Sequence, residues 1–192
     1  MPPRSSDPAP GAAEPPLCVD LDGTLLRNDS FRATLWIFLR CYPWRAPMIF
    51  LWWHKGRAFL KRRIAETVSY DVTVWPAHAE LLEYLRAERA RGRRLVLASG
   101  TDESVARRVA EHIGLFDEVV ASDGATNVTG PRKTARLNAR FGIKGWDYAG
   151  NSRVDLPVWQ AARQAIVVNA PAWVEHKARA TANVVSVFSR GE

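Results

Sequence analysis

The sequence predicts an α/β protein: a Rossmann-like parallel sheet with helices on both faces, plus a helical cap inserted after the first strand. Three observations lead there. Short apolar runs alternate with helical patterns along most of the chain, the arrangement that builds parallel sheets from strand–helix–strand units. The interval from Asp20 to Ser99, between two such strand ends, far exceeds the roughly 30 residues that a plain unit needs. The excess leaves just beyond a strand's carboxyl end, which places it over the edge where open α/β sheets bind ligands.

Each element follows in order. Residues 1–16 hold six of the twelve prolines and no apolar run; they read as a disordered Pro-rich tail and not as a signal peptide. Leu17–Asp20 is an apolar run ending in an acid, the first strand. The core is expected to comprise residues 17–26 and 79–192, and the cap residues 27–78. In the second half of the insert, Ile49, Trp52/Trp53, Gly56, Phe59/Leu60, Ile64 and Val68 recur at i, i+3/i+4, a helical pattern. After Pro76, Leu81, Leu82 and Leu85 have helical spacing, and Gly92 marks the stop. Leu95–Ala98 is the next strand. A helix from Glu103 sets Val105, Val109, Ala110 and Ile113 on one side and stops at Gly114. Glu118–Ala121 is strand-like and Thr134–Phe141 helical; Tyr148–Gly150, Ala165–Asn169 and Val184–Phe188 complete the strands.

With 192 residues, 47% apolar and 24% charged, the chain can bury a core. Nowhere do 18 apolar residues run without a charge, which excludes a membrane-spanning helix. Cys18 and Cys41 are too few for a disulfide framework or a structural zinc site, so the chain reads as intracellular. The net charge of +7 is concentrated: nine Lys/Arg lie between Arg27 and Arg63 against one acid, Asp29. Trp36, Trp44, Trp52 and Trp53 lie in the same segment. Such a block suits an anionic membrane surface, nucleic acid or an anionic substrate. It equally suits a solvated helix pair whose aromatics pack the cap's own core. Nucleic acid fits least, because the basic block lies in the insert and no recognition motif accompanies it.

The chemistry concentrates at strand ends. The first strand ends Cys18-Val19-Asp20-Leu21-Asp22-Gly23-Thr24-Leu25. Alternation along an extended segment points both carboxylates the same way, and such a pair needs a cation to stay charged. Mg²⁺ suits oxygen ligands and keeps waters that a phosphate can displace. Alone, the string also suits an Asx turn. Ser99-Gly100 ends an apolar strand before a helix whose N–H groups can hold an anion. Gly130-Pro131-Arg132-Lys133 puts a lysine at a helix start. Asn151 follows another strand, with Asp155 four residues later.

This ordered set, an acid pair, a hydroxyl, a lysine and a polar–acid pair, resembles motifs I to IV of the haloacid dehalogenase-like (HAD) superfamily of phosphohydrolases. The resemblance covers nearly the whole chain after the tail, and the insert lies where the family's helical C1 caps sit. It implies a phosphatase that uses Mg²⁺ and an aspartyl-phosphate intermediate. Asp20 would be the nucleophile. Asp22 would be the general acid and base, its backbone carbonyl also a metal ligand. Gly23 and Thr24 would shape the substrate-binding loop, and Ser99 and the Gly100 N–H would hold phosphoryl oxygens. Lys133 would balance the charge of Asp20 and the phosphate, and Asn151 and Asp155 would complete or support the metal site. Asn151 departs from the pattern, which has Asp there; an amide oxygen can ligate Mg²⁺ but brings no charge.

The phrases CVDLDGTLL, GLFDEVVASDG and YAGNSRVDLPVW are similar to those of the HAD domain fused to UbiA-type polyprenyl transferases, which are integral membrane enzymes. That narrower resemblance implies a lipid-linked sugar phosphate as substrate, a UbiA-type partner, and a cytoplasmic position, peripheral on the inner face of the membrane. The alternatives are a soluble small-metabolite phosphatase resembling phosphoserine phosphatase, or a non-catalytic domain that docks a membrane enzyme or anionic lipid through its basic cap. Among other residues, Asp29 and Ser30 suit a cap hinge or a helix N-cap. Arg27 and Arg32 are candidate substrate contacts, Asp123 reads as a turn, and the four histidines lack metal spacing.

Overall fold

The computed structural model describes residues 14–189. Among them, six strands form one sheet: β1 (Leu17–Val19), β2 (Leu95–Asp102), β3 (Glu118–Ser122), β4 (Asp147–Gly150), β5 (Ala165–Val168) and β6 (Val184–Phe188). The α-helices are α1 (Ser30–Cys41), α2 (Ala46–His54), α3 (Arg57–Thr67), α4 (Ala79–Ala90), α5 (Glu103–Ile113), α6 (Pro131–Phe141), α7 (Leu156–Ala161) and α8 (Ala172–Thr181). The strand order is β3-β2-β1-β4-β5-β6, with every neighbouring pair parallel. The chain winds outward from β1 in one direction, then returns and winds in the other. The reversal lies between β1 and β4, and a crevice opens there at the carboxyl ends.

Alternation along the strands feeds two cores. Leu17, Val19, Leu95, Leu97 and Ile166 pack with Leu81 and Leu85 of α4 and Ala106 and Val109 of α5. Cys18, Val96, Tyr148 and Val167 pack with Leu137 of α6, Trp159 of α7, and Val174 and Ala178 of α8. Helices thus cover both faces, as the sequence predicts.

Two boundaries differ from the sequence reading in ways that build the crevice. β2 runs on past Ala98 to Asp102, and its register with β3 shifts between those residues. Ser99 and Gly100 therefore lie in an irregular stretch of strand, the kind that re-aims side chains. Helix α6 starts at Pro131 and not at Thr134, because proline fits a helix's first turn. Lys133 is consequently inside that turn.

The insert leaves and rejoins the core at an antiparallel bridge between Leu26 and Ala77. Flanking it, Arg27 N–H donates to the Pro76 carbonyl (2.8 Å) and His78 N–H to the Leu25 carbonyl (2.9 Å). Beyond this stem, α1, α2 and α3 share a small core of Phe38, Trp52, Leu60, Ile64 and Val68. The helical pattern over residues 49–68 is broken in two: Gly56, at φ 105°, separates α2 from α3. The four cap tryptophans divide as well. Trp52 is buried in the cap core, whereas Trp36, Trp44 and Trp53 are exposed.

Of the proline-rich segment, residues 1–13 lie outside the described residues. Pro15 and Pro16 are held in place: Arg93 donates to the Pro15 carbonyl (3.0 Å) and Asp147 N–H to the Pro16 carbonyl (3.0 Å). Asp147 itself is buried at the amino end of β4. It accepts from Arg93, from Arg163 (2.9 and 2.6 Å) and from the Gln164 N–H (3.0 Å). No described helix is long and apolar enough to cross a membrane.

Candidate active site

Past Val19 the chain folds into a tight turn. Leu25 N–H donates to the Asp20 carbonyl (3.2 Å) and Leu26 N–H to the Leu21 carbonyl (2.9 Å). The turn sends Leu21, Leu25 and Leu26 into the core and leaves Asp20 and Asp22 on the crevice. Gly23 has φ +77°, and a Cβ there would lie 2.1 Å from the Asn151 amide nitrogen. The backbone conformation favours glycine, and any side chain would push the Asn151 amide aside.

A cavity of about 570 Å³ occupies the crevice; Asp20, Asp22, Gly23, Ser99, Gly100, Lys133, Asn151 and Asp155 line it. The structure thus brings together every residue that the sequence placed at the site except Thr24. That residue is fully buried and does not line the cavity. Arg27, Asp29, Arg32 and Lys61 line the cap side. Asp29 also caps α1, accepting from Arg32 N–H at 2.9 Å. Asp123 makes a turn, accepting from the N–H groups of Ala125 (3.1 Å) and Thr126 (2.6 Å). Among the histidines, His78 is buried and caps α4.

Lys133 is buried and donates to Asp20 Oδ1 (2.6 Å) and to the Tyr148 hydroxyl (2.6 Å). Tyr148 in turn donates to Asp155 Oδ1 (2.8 Å). The other oxygen of Asp155 accepts from the N–H groups of Asn151 (3.1 Å) and Ser152 (3.0 Å) and from the Ser152 hydroxyl (2.9 Å). Burial pushes the Asp20 carboxyl up to about 7; Asp155 and Asp22 add to the rise and Lys133 opposes it. Burial opposes the charge of Lys133, yet Asp20, Asp155 and Asp22 together hold its ammonium above the usual lysine range. Tyr148 is raised well above the phenol range by burial, then by Asp155 and Asp20.

Asp22 is held differently. Its Oδ1 accepts from the N–H of Ser30, the first residue of α1 (2.7 Å), and its Oδ2 from the Thr101 hydroxyl (2.6 Å). The Ser30 and Thr101 hydroxyls are 2.8 Å apart. Thr101 N–H donates to Ser99 Oγ (3.0 Å). From α3, Lys61 donates to the Gly100 carbonyl (2.6 Å); burial draws its ammonium below the usual range, against the pull of Asp22.

Sequence reasoning missed Tyr148, Thr101 and Lys61 as members of this assembly. Tyr148 reads as a core aromatic because it lies in an apolar strand. Gly150 beside Tyr148 and Asp155 leaves the space both need, since a Cβ there would sit 2.8 Å from each.

A divalent cation fits the donors present. Three carboxylates, Asp20, Asp22 and Asp155, line the crevice with the buried Lys133, and burial holds the Asp20 carboxyl up, with Asp155 and Asp22 adding to the rise, so a cation there would favour its charged form. The donors are hard oxygens, as Mg²⁺ prefers. Among the described residues no three His, Cys, Asp or Glu side chains converge as a ready cage, because the carboxylates of Asp22 and Asp155 are engaged elsewhere. A cation would rest on Asp20, the Asn151 amide and the Asp22 carbonyl.

An acidic strand-end turn and a buried lysine at the switch point of a parallel sheet, beneath a helical insert, define a capped Rossmann-like α/β fold. A family model for haloacid dehalogenase-like hydrolases matches residues 17–160, and the chain belongs to that family. An uncharacterized protein, y4nM, of Sinorhizobium fredii is 35% identical over 164 residues, which are 85% of this chain and 32% of that protein. The chain therefore spans about a third of that relative's length. A solved structure of a protein with unknown function from Bordetella pertussis Tohama I superposes with a TM-score of 0.68 at 18% identity, covering 91% of this chain and 99% of that one. A phosphoserine phosphatase in its apo form gives 0.62 at 15% identity, covering 92% and 94%. At these identities the likeness to solved structures is one of fold.

Proposed function

We propose that the protein is an Mg²⁺-dependent phosphatase that hydrolyses a phosphomonoester through an aspartyl phosphate on Asp20. The observation that carries this is the buried Lys133–Asp20 contact of 2.6 Å in a cavity that Asp22, Ser99 and Gly100 also line. Lys133 holds one oxygen of Asp20 and leaves the other to attack phosphorus. The Ser99 hydroxyl and Gly100 N–H receive phosphoryl oxygens, and Lys133 balances their charge. Asp22 protonates the leaving oxygen. It then takes a proton from the water that attacks the aspartyl phosphate, breaking its phosphorus–oxygen bond and restoring the Asp20 carboxylate. Because Asp22 is held by Ser30 of the cap and Thr101 of the core, the position of the cap sets its aim. Bound by Asp20, Asn151 and the Asp22 carbonyl, Mg²⁺ would neutralise phosphoryl charge. Asp155 supports that group through Tyr148 and the turn amides.

The substrate class that fits best is a lipid-linked sugar phosphate. Arg27, Arg32 and Lys61 line the cavity beyond the reacting phosphate, where a second anionic group such as a phosphodiester would lie. Phosphate release should be measured with Mg²⁺ for the wild type and Asp20→Asn, on soluble phosphomonoesters and on a polyprenyl-phosphoryl pentose phosphate in detergent. Release that needs both Mg²⁺ and Asp20 supports the phosphatase, and preference for the lipid supports the substrate class. Release unaffected by Asp20→Asn overturns the mechanism; preference for a soluble ester replaces the substrate.

A further inference from the structure

The cap exposes apolar side chains that its own core does not use. Trp36 is 67% exposed, Trp44 71%, Phe50 69%, Leu51 61% and Trp53 57%. On α1, Arg32, Trp36, Leu39 and Arg40 are all exposed and fall at the spacing of one helical face. Helix α2 is more unusual. Trp52 is its one buried residue, and Met48, Phe50, Leu51 and Trp53 are exposed around the rest of it. At nine residues it is about 13 Å long, too short to span a bilayer. Its exposed apolar side chains lie around the helix and not on one side of it. Large exposed apolar surfaces on a folded chain mark interaction sites.

The charge around this helix selects the partner. Between Asp29 and Glu66 the chain carries no acid, and Arg40, Arg45, Lys55 and Arg57 are exposed beside the aromatics. We infer that the α1–α2 face of the cap docks on an anionic lipid bilayer surface, with Trp36, Trp44, Phe50 and Trp53 in the interfacial zone and the flanking bases on lipid headgroups. Tryptophan favours that zone because its ring is apolar and its N–H is polar. A fluid interface accepts apolar side chains spread around a helix, whereas a rigid protein partner needs a matching groove. Basic residues near an anionic leaflet add to apolar insertion.

The docking face also connects to the crevice. Arg32 lines the cavity, and Trp36 follows one turn further along the same exposed face of α1. The docked cap therefore presents the cavity rim at the height of lipid headgroups. This deepens the lipid-linked reading and rests on it only for what enters the crevice; vesicle binding is read without turnover.

The test is flotation of the full chain with phosphatidylcholine vesicles, with and without phosphatidylglycerol, alongside quenching of tryptophan emission by brominated lipid. Binding should require phosphatidylglycerol and weaken in high salt. Neutralising Arg40→Gln or Arg45→Gln should weaken it by about fivefold each. The double variant Trp44→Ser/Trp53→Ser should weaken vesicle binding and reduce brominated-lipid quenching, leaving only the Trp36 signal, while hydrolysis of a soluble phosphomonoester persists. Absence of binding to the anionic vesicles overturns the inference. So does binding unchanged by the tryptophan variants, or a dimer that Trp44→Ser/Trp53→Ser dissociates and that shields the face from vesicles. If vesicles bind but no phosphate is released from any ester, the docking stands and the phosphatase reading fails.

Discussion

Asp20, just past β1, and Asp147, at the start of the adjacent β4, are buried carboxylates at opposite ends of the sheet, each beside a buried cation, Lys133 or Arg93. At the amino end, Asp147 is saturated: two arginines and a backbone N–H fill both its oxygens. At the carboxyl end, Asp20 has one lysine on one oxygen, two further acids nearby and a cavity in front of it. The residue types are alike, but only Asp20 faces a cavity, with Lys133 on one of its oxygens. A buried acid becomes a functional group when its compensation is incomplete and something from outside can complete it.

The comparison breaks most sharply under substitution. Asp20→Asn should lower turnover by roughly a thousandfold or more while costing less stability than Asp147→Ala, because Asp155 and Asp22 still balance Lys133 and the buried charge it removes is itself costly. Asp147→Ala should do the reverse. It strands Arg93 and Arg163 and should cost about 3–5 kcal/mol, with turnover retained in the folded fraction. Paired denaturant titrations and assays read both. Equal stability losses in the two variants would erase the distinction.

The pH dependence follows from the burial of Asp20. Without divalent metal, the fold keeps a proton on Asp20 up to about pH 7, whereas an unfolded aspartate gives it up near 4. The folded state thus binds more protons between those values, and stability should fall as pH rises from about 4 to 7. Asp20→Asn should flatten that slope in chelator-treated protein. A slope unchanged in the variant would assign it to other groups.

How much of this was legible beforehand depends on sequence separation. Asp20-Leu21-Asp22-Gly23, Ser99-Gly100 and Lys133 stood out because each is punctuation at the end of a run, a purely local signal. What joins them is not local. Thr101 reaches Asp22 across 79 positions, Lys61 reaches Gly100 across 39, and Arg93 reaches Asp147 across 54. None of those residues breaks a local pattern. Gly56 was read as one position in a helical repeat, since spacing alone does not reveal a positive φ. The tryptophans were countable, but which ones the cap core absorbs depended on how three helices cross.

Tyr148→Phe examines the joint between lysine and supporting acid. The change removes the hydroxyl that accepts from Lys133 and donates to Asp155, leaving both groups short of one partner. A stability cost of about 1–3 kcal/mol is expected. Turnover should drop by about tenfold, since Lys133 loses one of the two contacts that fix its approach to Asp20. Unchanged turnover would mean that the tyrosine only fills space.

The finest adjustment is Asn151→Asp. Asp147 is neutralised by the protein alone, so an added charge at that end has no external partner. At the crevice an added carboxylate gives a bound cation a further charged oxygen. Mg²⁺ half-saturation should therefore fall by about tenfold, a change of roughly 1.4 kcal/mol, while metal-free stability decreases as a fourth acid joins Asp20, Asp22 and Asp155. Isothermal titration with Mg²⁺ beside thermal unfolding in chelator separates the two effects. If affinity does not rise, the Asn151 amide is not a ligand, and the charge balance at Asp20 must be completed from the other side of the crevice, where Lys61 and Arg27 stand.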